Sequence, residues 1–207
     1  MAAHFPSSLE ESMSAARPLT LADVAVPRST ALTNVLLVTA ASLLTAAAAQ
    51  AEIRLPWTPV PITGQTFAVL LTGAVLGARR AFLAMCLYLA EGSAGLPFFA
   101  GGAAGFARLL GPTGGYLIAF PFAAALTGLL AERGWDRRPI TMFAAMLSGS
   151  TIIFALGLAQ LSGFVPQGAL LASGLLPYIP GDILKSALAA GLFPAAWKLV
   201  SRLEGRA

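Results

Sequence analysis

Apolar residues fill six blocks of this chain, at positions 31–51, 62–78, 81–90, 116–131, 140–161 and 181–200. A helix on a water-soluble core keeps a polar face, and these blocks do not. About twenty such residues cross a bilayer as a helix, a length most of the blocks reach. The block at 81–90 reaches it only by running on through Gly95 and Phe99. The pattern predicts an all-α integral membrane protein with six transmembrane helices in a single bundle. Residues 1–30 read differently. Pro6, Pro18 and Pro27 interrupt them and no signal-peptide core is present, so they are expected to form a cytoplasmic tail with a short amphipathic turn at 19–24. The expected organisation is that tail followed by a membrane domain at 31–207.

Composition agrees: 57% of residues are hydrophobic and 11% charged, against about 25% charged in a soluble domain. The charges also carry direction. Arg17 and Arg28 precede the first block, Arg79 and Arg80 separate the second and third, and Arg133, Arg137 and Arg138 separate the fourth and fifth. Lys198, Arg202 and Arg206 follow the sixth, whereas the other side carries only Arg54 and Arg108. Basic residues collect on the cytoplasmic side, so both termini are expected there. The net charge of +4 thus describes orientation and not nucleic-acid affinity.

Several chemistries are excluded. His4 is the only histidine and Cys86 the only cysteine, which leaves no disulfide and no histidine or cysteine metal cluster. No set of nucleophile and base supports an enzyme, and no cofactor is expected. No phosphate-binding loop of the G-x-x-x-x-G-K-[ST] type is present, so ATP hydrolysis by that route falls to a partner. The polar residues gather toward one side, unlike the lining of a channel.

The strongest chemical signal is Gly181-Asp182-Ile183-Leu184-Lys185 in the sixth block. An acid and a base three residues apart share a helical face. They form either a self-neutralising ion pair or a polar site with one strong acceptor and one strong donor, because charge in a bilayer is seldom kept without a partner or a task. Two connecting stretches on the opposite side from the arginines add to this. Residues 55–65 are proline-rich and deliver Gln65 to the second block, with Trp57 as an interfacial anchor. Residues 92–115 are glycine-rich and aromatic, long enough to be a lid or binding loop.

Val60-Pro61-Ile62-Thr63-Gly64-Gln65-Thr66, Gly95-Leu96-Pro97-Phe98-Phe99-Ala100-Gly101-Gly102, Leu110-Gly111-Pro112-Thr113-Gly114-Gly115-Tyr116-Leu117 and the Asp182–Lys185 motif occur in this order. In them the chain resembles the BioY family, the biotin-specific substrate-capture (S) components of energy-coupling factor (ECF) transporters. The resemblance runs from about residue 31 to the C-terminus. It implies high-affinity biotin capture in the bacterial cytoplasmic membrane, with a transmembrane coupling protein and ATPase subunits as partners. An S component for another vitamin, such as riboflavin or thiamine, and a solitary biotin carrier are the alternatives.

The ureido ring of biotin has two N–H donors and one carbonyl acceptor. Asp182 suits the first and Lys185 the second, and Gln65 can do both. Phe98, Phe99, Phe106 and Tyr116 are candidate walls for the thiophane ring and valerate chain. For the valerate carboxylate, Arg108 or the amides of Gly114 and Gly115 at a helix start are available. Glu91 can pair with Arg108, face water or touch ligand. S components also resemble one another in a small-residue first-helix face that docks on the coupling protein. Here Ala47 and Ala51 meet that spacing, and internal packing is the competing role.

Overall fold

The computed structural model describes residues 20–26 and 30–204. Helix α1 (Leu21–Ala25) starts at Thr20, whose hydroxyl accepts from the Asp23 amide while the Asp23 carboxylate accepts from the Thr20 amide. Helix α2 (Ala31–Gln50) is capped by Thr30. Two short strands follow, β1 (Glu52–Ile53) and β2 (Ile62–Thr63), paired antiparallel with Glu52 opposite Thr63. Pro56, Pro59 and Pro61 lack amide hydrogens, and the loop between the strands stays outside the ladder. Then come α3 (Gln65–Leu76), α4 (Ala78–Ser93), the four-residue α5 (Ala107–Leu110) and α6 (Gly114–Glu132). Helices α7 (Pro139–Leu161), α8 (Leu170–Gly174) and α9 (Ile179–Glu204) complete the order.

Each apolar block forms a helix, with shifted ends. Among the described residues, four segments are long and apolar enough to cross a membrane: Ala31–Gln50, Gly114–Glu132, Pro139–Leu161 and Gln167–Arg202. The second and third blocks give shorter helices. At 1.5 Å per residue, α3 spans about 18 Å and α4 about 24 Å, against about 30 Å of hydrocarbon. The third helix does not run through Gly95 and Phe99; it starts earlier and ends at Ser93. Arg79 and Arg80 therefore lie in the first turn of α4, and only Gly77 separates α3 from α4.

Gly77 makes that break possible. Its φ of 81° is left-handed territory, and a β-carbon there would meet the Glu132 carboxylate and the Thr20 methyl. Glu132 uses the gap, accepting from the Ala78 amide at 2.9 Å and so capping α4 from a distant helix. Below this junction α1 is docked: Arg80 bridges Asp23 at 2.6 Å and Asn34 at 2.8 Å, and Thr20 and Ala22 are buried. The described end of the N-terminal segment is thus attached to the bundle. His4, Arg17, Arg28 and Arg206 lie outside the described residues.

Helix α6 is the centre, packed on α3, α4 and α7; α9 lies on α7, and α2 lies on α4 and α3. Small residues set the close approach: Ala119, Ala123 and Ala124 are buried, and Gly157 on α7 receives the ring of Tyr116. The outward faces are apolar. Leu32, Val35, Leu36, Leu43 and Leu44 on α2 and Leu184, Leu188, Leu192 and Leu199 on α9 are exposed. In water such area costs about 25 cal/mol per Å². Hydrocarbon removes that cost, and the surface is that of a membrane protein.

Candidate ligand-binding site

A cavity of about 640 Å³ opens at the end of the bundle opposite α1, within the range of small-molecule sites. Its floor and walls come from the first turns of α3 and α9, from α6 and from α7. Its cover is the proline-rich loop at 54–61 and the segment at 99–103, with Arg108 on the rim. The proline-rich loop is tied down at two points. Thr58 donates to the Ser173 carbonyl at 2.7 Å, and the Tyr178 hydroxyl donates to the Val60 carbonyl at 2.5 Å.

Asp182 and Lys185 both line the cavity, and they do not pair with each other within salt-bridge distance. Each is held by other groups. Ser150 on α7 donates to Asp182 Oδ1 at 2.6 Å, and the second oxygen has no donor among the described residues. Lys185 Nζ donates to the Thr63 carbonyl at 2.8 Å and to Thr66 Oγ1 at 3.0 Å, which uses two of its three hydrogens. The direct ion pair that the motif allowed is thus not formed. The two charges also sit in the opening turns of α9, near its end, where the helix dipole favours the acid.

Gln65 lines the cavity but is largely spent on the protein. Its oxygen accepts from Thr63 at 3.1 Å and its amide donates to the Tyr88 hydroxyl, which in turn donates to the Phe98 carbonyl at 3.1 Å. Tyr116 presents its ring to the cavity while its hydroxyl donates to the Gly174 carbonyl at 2.8 Å. Arg108 is exposed and has no carboxylate partner among the described residues. Gln65, Arg108, Tyr116, Asp182 and Lys185 therefore all line one cavity.

Other expectations do not hold. Phe98 and Phe106 are off the lining, and Phe106 faces outward; Phe99, Phe120 and Phe154 supply the aromatic walls. Gly114 and Gly115 are buried away from the cavity, and the Gly114 amide is taken by the Gly111 carbonyl at 3.0 Å, which removes the proposed amide cradle. Glu91 accepts from Ser42 across the α2–α4 seam and does not reach Arg108. Ala47 is exposed on α2, but Ala51 lies past the helix end with ψ of 85°, so the two do not form one helical face.

Three contributors were not marked in the sequence. Ser150 and Thr66 are single hydroxyls whose use depends on which helix faces α9. Arg54 also lines the cavity, paired with Glu52 at 2.7 Å. Among the lining residues Glu52 and Asp182 are acids and Arg54, Arg108 and Lys185 are bases, a formal excess of one positive charge. The site thus offers an acceptor and a donor side by side, apolar and aromatic walls, and a cation at the mouth.

Known proteins share this chain's sequence and shape. The probable biotin transporter BioY of Pyrococcus horikoshii is 42% identical over 139 residues, covering 67% of this chain and 82% of that protein. The biotin transporter BioY of Rhizobium etli is 36% identical over 158 residues, covering 72% of this chain and 84% of that protein. A crystal structure of the S component for biotin from an ECF-type ABC transporter superposes with a TM-score of 0.69 at 28% identity, over 83% of this chain and 95% of that one. The BioY family model matches residues 18–202, nearly the whole described chain, and the protein belongs to the BioY family.

Proposed function

We propose that this protein captures biotin at the outer face of the bacterial cytoplasmic membrane and delivers it inward as the S component of an ECF transporter. One observation carries the reading: Asp182 and Lys185 are separately anchored in one cavity, each with capacity left over, beneath a mouth with one excess positive charge. The free Asp182 oxygen accepts a ureido N–H, and the remaining Lys185 hydrogen donates to the ureido carbonyl. Tyr116 and the phenylalanine walls take the apolar ring and chain. Arg108, exposed on the rim with no carboxylate partner among the described residues, takes the valerate. Gln65 holds the wall beside Lys185 and acts mainly through Thr63. The relatives named above as biotin transporters support the same assignment.

The proposed topology has six crossings, α3 and α4 included, with both termini in the cytoplasm and residues 31–207 as the membrane domain after a tail at 1–30. Arg79, Arg133, Arg138, Lys198 and Arg202 lie at the end away from the cavity and support that orientation. Partners are a coupling protein and ATPase subunits, since no nucleotide loop is present. The exposed α2 face around Ala47 is the proposed docking surface, and Ala47→Trp is expected to spare binding while abolishing co-purification with the coupling protein.

Titration calorimetry on the detergent-purified protein tests the ligand. Saturable heat with biotin, and none with riboflavin or thiamine, is expected without ATP or metal. Heat with another vitamin and none with biotin overturns the assignment.

A further inference from the structure

Arg108 sits on a helix of only four residues, preceded by a segment with left-handed glycines at 95, 101, 102 and 105. Such a piece of chain has little rigidity of its own, and most carbonyls of so short a helix lack intrahelical partners. Two carbonyls that follow Arg108 accept from a distant side chain, the Gly111 carbonyl in addition to its bond from the Gly114 amide. Gln160, near the end of α7 and outside the cavity, donates to the Leu109 carbonyl at 2.9 Å and to the Gly111 carbonyl at 2.7 Å. Both hydrogens of one side-chain amide are therefore spent on the turn that carries the arginine. The neighbouring glycines make room for it. A β-carbon on Gly114 would stand 2.6 Å from Gln160 Nε2, and one on Gly115 would stand 2.8 Å from Gln160 Cβ. The Leu109 and Leu156 carbonyls crowd the same two positions more closely still, so glycine at the start of α6 serves the backbone approach as well as Gln160.

We propose that Gln160 is a positioning residue that clamps the α5 turn to α7, so that Arg108 discriminates a ligand carboxylate from an uncharged tail. The inference rests on the reading of Arg108 given above. An amide clamp on backbone carbonyls suits this task because it is independent of the arginine's charge and of pH. It fixes the backbone that directly follows Arg108, at Leu109 and Gly111, and leaves the guanidinium free to meet the ligand.

The test compares biotin with biotin carboxamide, which keeps the rings and loses the negative charge, on the full-length purified protein. Wild type is expected to prefer biotin. Arg108→Met is expected to reduce the ratio of the two affinities by about tenfold or more, the size of a lost hydrogen bond to a charged group. Gln160→Leu is expected to reduce the same ratio about fivefold by weakening biotin alone, with carboxamide affinity unchanged. Gln160→Met, unbranched and more accommodating, is the second variant and should behave alike. A ratio unchanged by Arg108→Met refutes the role of Arg108 itself. A ratio that falls with Arg108→Met but holds in both Gln160 variants refutes the clamp alone. Equal loss of both ligands in both Gln160 variants makes Gln160 a packing residue and also overturns the proposal.

Discussion

The bundle holds a buried aspartate near each end, and the two have different surroundings. Asp182 lies at the cavity end with one donor, Ser150, and with Lys185 on the same wall. Asp136 lies at the other end, in the turn at Trp135–Arg137 between α6 and α7, where Trp197 of α9 donates to its Oδ2 at 2.5 Å. The Arg137 guanidinium stacks 4.5 Å from the centre of the Trp197 ring, and Asp136 is 0% exposed against 9% for Asp182. Oδ1 of Asp136 is buried with no partner among the described residues. Both acids are thus held by one neighbouring helix, yet only one opens on a space a ligand can fill. A buried acid becomes a candidate site through an accessible second oxygen and a neighbouring base, and Asp136 instead fastens α9 to the α6–α7 turn.

Charge removal gives the largest contrast. Asp182→Asn and Lys185→Met are each expected to weaken biotin binding at least about a hundredfold, since stranding one partner of a buried polar contact costs about 3–5 kcal/mol. Asp136→Asn should leave affinity within about twofold. Calorimetry decides, and a large loss in Asp136→Asn would mean that the two ends are coupled.

Removing each acid's donor sharpens the division at smaller scale. Ser150→Ala is expected to weaken biotin about tenfold with little change in melting temperature. Trp197→Phe should do the reverse, lowering the melting temperature by several degrees at unchanged affinity. A Trp197→Phe protein that melts normally would show that Asp136 needs no donor.

Acid titration separates two charges at the end away from the cavity. Burial pushes the Asp136 carboxyl above its usual range, against the opposing effects of Trp197 and Arg137. The folded state then takes up a proton before the unfolded chain does, so stability rises as pH falls from that raised value toward the ordinary carboxylate range. Melting temperatures should climb through this window, and Asp136→Asn should flatten the climb. Asp23 behaves oppositely. Burial alone would raise its carboxyl, but hydrogen bonds from Arg80 and Thr20 hold it below the usual value. Its contribution is present above the unfolded value and disappears as pH falls through the depressed one. The pair is partly exposed and screened by solvent, so Asp23→Asn should cost at most about 1 kcal/mol, read as a drop of about 2 °C at neutral pH. No drop would mean that α1 docks through Thr20 and Ala22 alone.

The blocks of apolar residues determined the all-helical membrane character of this protein, because a helix without a polar face has one solvent in which it is stable. The motif around Asp182 and Lys185 was legible for the same reason: charge in an apolar run stands out. Gln65, Arg108 and Tyr116 could be marked from their motifs, since prolines and glycines announce loops near a helix start. Other features belonged to the tertiary structure. Whether Asp182 bonds Lys185 or Ser150 depends on how α7 faces α9, which no local pattern encodes. Arg54, Thr66 and Gln160 look like ordinary polar residues until packing brings them to carbonyls, carboxylates or the cavity wall. Phe98 and Phe106 were misplaced because spacing along a glycine-rich loop does not determine which way a ring points. Asp136 went unmarked because in sequence it sits among arginines in a polar turn, and it was buried only when α9 laid Trp197 across it.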